Sequence, residues 1–157
     1  MYRIARILVL IDDSTHARGT LALAALTAAR FDARLTALYV ADPFTGTYLT
    51  PEISAAVVEI AREQFAAGCE RTRQLVEEVS RETGRPIELI DPTGAPQADV
   101  IQRCRYADLV VVGQRDPNEV PKPRSSVSTR RLLMAGRPLL FRPYAGELEG
   151  CGRRILV

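Results

Sequence analysis

Between Arg6 and Asp12 the chain runs Ile7-Leu8-Val9-Leu10-Ile11 with no polar interruption. A strand exposed on one face alternates apolar and polar positions, whereas one covered on both faces is apolar throughout. The run therefore predicts a first strand enclosed between layers of helices. Asp12, Asp13 and Ser14 end it and predict an N-cap, after which Ala17, Leu21, Ala24, Ala25 and Ala28 recur at helical spacing as far as Arg30. Ala33 to Val40 predicts a second strand, closed by Asp42-Pro43 and a loop reaching Pro51. From Glu52 to Thr83 the positions Ile53, Val57, Ile60, Phe65, Gly68, Thr72, Leu75 and Val79 form one stripe, with Arg and Glu opposite. That is a long amphipathic helix, stopped by Gly84. Ile87 to Ile90 predicts a third strand, and Asp91-Pro92-Thr93-Gly94 turns into a helix opened by Pro96, with Val100, Ile101 and Cys104 facing inward. Leu109 to Val112 predicts a fourth strand, Gly113 to Arg124 a polar loop, Ser125 to Ala135 a helix and Leu139 to Arg142 a fifth strand.

Strands that alternate with helical crossovers favour a parallel sheet, because each crossover returns right-handed over the sheet. The fold class is α/β, an open doubly wound five-stranded parallel sheet with helices on both faces. In such sheets ligands bind at the carboxyl ends of the strands, where the strand order changes direction. Asp12 to Thr15, Ala41 to Pro43 and the segment from Gly113 onward are the candidates. Arg6-Ile7-Leu8-Val9 recurs as Arg154-Ile155-Leu156-Val157 after the Gly-containing stretch Gly146 to Gly152. The preferred division is a domain over residues 1–145, followed over residues 146–157 by a linker and the first strand of a second, absent module. An extra edge strand is the other reading of the repeat.

Composition narrows the chemistry. The chain has 157 residues, 46% of them hydrophobic, and 21 basic against 19 acidic side chains give a formal charge of +2. One globular domain fits that length, and so small a charge predicts neither nucleic acid nor membrane as a partner. No apolar run approaches the roughly 20 residues of a membrane helix, and the expected location is cytoplasmic. Cys69, Cys104 and Cys151 are scattered and His16 is the single histidine, so no Cys/His metal site is expected. Cys69 and Cys104 fall on apolar stripes and are expected to be buried, inert thiols. No P-loop, dinucleotide fingerprint or nucleophile elbow is present, and no residue is assigned a catalytic role. Asp12-Asp13, Asp91 and Arg142-Pro143 invite comparison with a phosphorylation receiver domain. Against that stand the long helix between the second and third strands, Arg142 in place of lysine and Gly113 in place of a hydroxyl residue.

Taken in order, the segments Ile7 to Ser14, Ala33 to Val40, Gly94 with Ile101, Ala107 to Gly113, Ser126-Val127-Ser128 and Arg137-Pro138-Leu139-Leu140 resemble the universal stress protein family. The resemblance covers nearly the whole chain. It implies an adenine nucleotide alpha hydrolase-like α/β module in stress response, usually a homodimer, found singly or in tandem, and it implies pairing through the last strand.

Many members of that family bind ATP through G-x-x-G followed some nine residues later by G-[ST], so the resemblance implies a nucleotide site at Asp12, Val40, Gly113, Ser126 and Ser128. Glycines there let backbone N–H groups close on phosphates. In this chain Gly113 matches the first glycine, Asp116 stands at the second and Ser125 at the third, with the spacing one residue short. The aspartate adds like-charge repulsion, and both side chains obstruct a close backbone approach. Six basic residues and no acidic one lie between Val120 and Gly146, namely Lys122, Arg124, Arg130, Arg131, Arg137 and Arg142. They are read chiefly as a solvated or dimer-contacting face, with anion binding as the other reading. The expectation is a regulatory or interaction protein without tight ATP binding. The alternative is an ATP-binding, slowly hydrolysing member, with ATP or another adenine nucleotide as the possible cofactor.

Overall fold

The structure, a computed structural model, describes residues 3–12, 14–40, 55–90, 97–118 and 129–146. Its elements follow one another as β1 (Arg6–Ile11), α1 (Ala17–Phe31), β2 (Arg34–Tyr39), α2 (Ala55–Thr83), β3 (Ile87–Ile90), α3 (Gln97–Tyr106), β4 (Leu109–Gly113), α4 (Thr129–Leu133) and β5 (Leu139–Arg142). All four strand pairings are parallel, in the order β3-β2-β1-β4-β5. The chain winds outward from β1 to β3, then crosses to β4 on the other side of β1 and winds outward again.

That reversal sorts the helices. Ile7, Val9 and Ile11 of β1, with Leu35, Ala37, Leu109 and Val111, pack on one face against Ala17, Leu21, Ala24, Ala25 and Ala28 of α1 and Val76 and Val79 of α2. Leu8, Leu10, Leu38 and Val110 pack on the other against Val100 and Cys104 of α3 and Leu132 of α4. The uninterrupted apolar run of β1 is thus buried from Ile7 to Ile11, with neither face left to water. Small residues on α1 bring the helix axis close to the sheet, and Thr20 and Thr27, also buried there, donate their hydroxyls to the backbone carbonyls of His16 and Leu23.

The amino end of α1 differs from expectation. Asp12 Oδ1 accepts a hydrogen bond from Ser14 N at 3.1 Å, so it closes the turn after β1 rather than capping α1. His16 holds the N-cap position in an αR conformation, and its side chain makes no capping bond. At the other end Asp32 takes the left-handed cap with φ 50°. Gly84 does end α2, with φ 63°.

Among the α2 residues whose side chains are described, Gly68, Thr72, Val76 and Val79 are buried, while Ile60 is 51% exposed. At about 1.5 Å per residue the 29 residues of α2 span roughly 43 Å, whereas strands of four to six residues span roughly 13–20 Å. The amino-terminal third of α2 therefore stands beyond the carboxyl ends of the strands, and Ile60 there has no sheet to cover it. Where α2 meets the sheet, Phe65 packs on Tyr39 with ring centroids 5.8 Å apart. Cys69 is only half-buried, contrary to expectation, whereas Cys104 is fully buried and its thiol is pushed up to about 11 by desolvation. Val100, Ile101 and Cys104 face inward as the sequence predicts. Residues 147–157, with the repeated Arg154 to Val157, lie outside the described residues, as do Asp13, Asp91 and Pro96.

Two predictions follow from this packing. A Cβ built at Gly68 would press on the Tyr39 hydroxyl and lie 2.7 Å from its Cζ, and Tyr39 is only 2% exposed. Gly68→Ala should therefore lower stability by about 1–2 kcal/mol in chemical denaturation, although alanine favours helix by up to about 1 kcal/mol; unchanged stability would contradict it. Asp108 Oδ2 accepts from Ala5 N at 3.0 Å and Arg6 N at 2.9 Å, and these bonds hold its carboxyl below the ordinary aspartate range. Its contribution is complete above that ordinary range and disappears as pH falls through the lowered value. Asp108→Ala should thus lower the melting temperature at neutral pH, and the gap to the parent should narrow in acid.

Candidate functional site

The winding reverses between β1 and β4, and in an open parallel sheet the carboxyl ends of the strands at such a reversal are where a ligand crevice forms. Each wall is fixed by backbone bonds. Val40 N donates to Ile11 O at 2.7 Å, which brings the residue after β2 alongside Asp12. Val112 stands in register with Leu10, so Gly113 follows at the level of Ile11. Asp12, Val40 and Gly113, predicted from separate segments, are therefore brought to one place, and all three are partly accessible. Ser126 and Ser128 lie outside the described residues.

Gly113 also meets a helix. A Cβ there would lie 2.9 Å from Thr20 Oγ1, so the first turns of α1 sit against the end of β4 more closely than a larger residue allows. Beyond Gly113 the chain stays close to β5, since Gln114 N donates to Arg142 O at 2.8 Å. It then turns at Asp116, whose Oδ1 accepts from Asn118 N at 2.8 Å. The other carboxylate oxygen, Oδ2, lies 3.7 Å from His16 Nε2 at the amino end of α1, with both side chains about a quarter exposed.

This contact has an electrostatic meaning. The amino end of a helix favours an anion, and here a carboxylate of the chain itself already stands near it. Asp116 occupies the position at which the phosphate-binding pattern has a glycine, and it stands at the mouth of the crevice.

Sequence reasoning did not pair His16 with Asp116, although His16 follows Asp12-Asp13-Ser14-Thr15 directly and Asp116 was singled out. It also did not foresee where Arg142 lies. Arg142 stands in register with Gly113, and its side chain crosses onto α1 so that a Cβ at Gly19 would lie 2.6 Å from its Cζ. No local pattern signals that contact, which joins residues 123 positions apart.

Among the described residues no cluster of three or more His, Cys, Asp or Glu could hold a metal ion. Nor is any helix among them long and apolar enough to cross a membrane.

An open parallel sheet whose winding reverses at its central strand, with helices on both faces, is the architecture of a doubly wound α/β module. The chain belongs to the universal stress protein family, whose model matches residues 3–134. Solved structures agree in fold. A universal stress protein UspA from Lactobacillus plantarum is 24% identical, with 88% of this chain and 97% of that one covered and a TM-score of 0.64. A universal stress protein family member from Burkholderia pseudomallei is also 24% identical, with coverage of 89% and 96% and a TM-score of 0.55. A universal stress protein solved in complex with cAMP is 17% identical, with coverage of 88% and 97% and a TM-score of 0.53. No curated protein matches the chain.

Proposed function

We propose that this chain is a regulatory or interaction module of the universal stress response whose crevice accepts an adenine nucleotide without a tight grip on its triphosphate. Asp12 and Val40 form the adenosine end of the site, and Gly113 marks the start of the phosphate end. The observation that carries the reading is the Asp116 carboxylate, 3.7 Å from His16 Nε2, standing where the phosphate-binding pattern has a glycine. A carboxylate in that position repels a phosphate and takes up the favourable field of α1. The similar protein solved with cAMP supports an adenine ligand with a short phosphate end. Output then passes through protein contacts rather than through chemistry on the nucleotide.

The same reading includes a cytoplasmic homodimer formed through β5. That strand pairs only with β4 among the described strands, which leaves its other edge open. Phe141 on it is 39% exposed, and Leu133 and Met134 at the end of α4 are 63% and 70% exposed. A second copy pairing edge to edge covers these side chains and the backbone groups together.

Titration calorimetry tests the nucleotide reading. The parent should bind ATP weakly, and the double variant Asp116→Gly, Ser125→Gly should bind it about tenfold more tightly, a difference of about 1.4 kcal/mol. Tight binding by the parent refutes the proposal, and no gain in the variant removes Asp116 and Ser125 as its cause. Light scattering at micromolar concentration should find a dimer that Phe141→Lys shifts toward monomer; a monomeric parent rules out the dimer.

A further inference from the structure

The phosphate end of the crevice lacks its glycines but not a cation. Arg142 is the last residue of β5, and its register partner is Gly113. Parallel neighbours in register point the same way from the sheet, so Arg142 leaves on the α1 face, beside the first turns of that helix. There its guanidinium lies on Gly19, with Cζ, Nε and Nη2 between 2.6 and 2.7 Å from where a Cβ would stand. The seat exists because residue 19 has no side chain. Nη1 donates to Pro143 O at 3.0 Å, and among the described residues no carboxylate lies within 4.0 Å of the group.

This arrangement is electrostatically incomplete. A guanidinium carries five N–H donors and a permanent charge, and the positive end of a helix is an unfavourable neighbour for it. The first turn of α1 contains no acidic residue to offset either. The Asp116 carboxylate is directed to His16. An anion entering from the crevice would meet the guanidinium at the carboxyl ends of β4 and β5.

We propose that Arg142, seated on Gly19, is the residue that holds the phosphate end of the nucleotide in this crevice, an inference that rests on the adenine-nucleotide reading above. A planar fork at one point replaces a cradle of backbone N–H groups. Such a contact pairs bidentately with phosphate and needs no glycine loop. It also makes binding sensitive to salt, because the side chain is only partly buried.

The test compares adenosine with ATP on the parent, Arg142→Met and Arg142→Lys, by ligand-observed NMR and calorimetry at low and high salt. In Arg142→Met the affinity for ATP should fall about tenfold, or about 1.4 kcal/mol, while that for adenosine stays unchanged. Arg142→Lys should fall between, because it keeps the charge and loses the fork. The preference of the parent for ATP over adenosine should shrink with salt, and that dependence should weaken in Arg142→Met. If the parent binds both ligands and Arg142→Met keeps the same ratio of affinities, the role of Arg142 is refuted and the nucleotide reading stands. If the variant loses both ligands in proportion together with thermal stability, Arg142 packs β5 against α1 and does not hold phosphate. Binding of neither ligand by the parent at millimolar concentration removes the nucleotide reading, and this one with it.

Discussion

Burial of β1 on both faces is the constraint from which the rest of the structure follows. From Ile7 to Ile11 no residue of this strand is more than 5% exposed, because α1 and α2 cover one side and α3 and α4 the other. A polar group in the middle of such a strand would lose its hydration without a partner. Polar chemistry is thereby excluded from the centre of β1 and confined to its ends. Asp12 is the first residue after β1 that can carry a charge, and it does so at the point where the winding reverses. The location of the crevice is thus a by-product of how the core is closed.

Close approach is the second theme. Three glycines allow groups from elsewhere in the chain to come nearer than a methyl group permits: the Tyr39 ring at Gly68, Thr20 at Gly113 and the Arg142 guanidinium at Gly19. The first fixes α2 on the end of β2, and the other two press α1 toward β4 and β5. The first turns of α1 are therefore packed closely on the ends of β4 and β5. Arg18, on the same turn, is spent differently, since its guanidinium bridges to Glu78 and Glu82 of α2 and its pKa is raised by those carboxylates. That pairing is exposed and mainly orients two helices.

Most of the fold was legible because it is written in short periods. The apolar run of β1, the three-and-four spacing of α1 and the glycine after α2 each act within a few residues, and each element appears within a residue or two of its predicted bounds where the chain is described. What escaped depends on distances the sequence does not state. The Ile60 position reads as part of an apolar stripe, and only the shortness of the strands beneath α2 leaves it exposed. Asp12 reads as a helix cap, yet its carboxylate is used one turn earlier by Ser14. In the crevice, Asp12, Val40 and Gly113 were found because strand ends are recognisable, whereas Arg142 on Gly19 required knowledge of which strand lies beside which.

The central place of β1 also shapes how the molecule comes to exist. Its partner β2 follows after one helix, but its partner β4 arrives about a hundred residues later, and Asp108 closes that distance by bonding to Ala5 and Arg6. A nascent chain that has made β1, α1, β2, α2 and β3 presents β1 as an open edge, apolar on the face that α3 and α4 have yet to cover. Such an edge is a template for another strand, and long-range closure is slow. The interval between synthesis of β3 and docking of β4 is therefore when an open apolar edge is exposed, and the bonds from Ala5 N and Arg6 N to the Asp108 carboxylate require that β4 has docked.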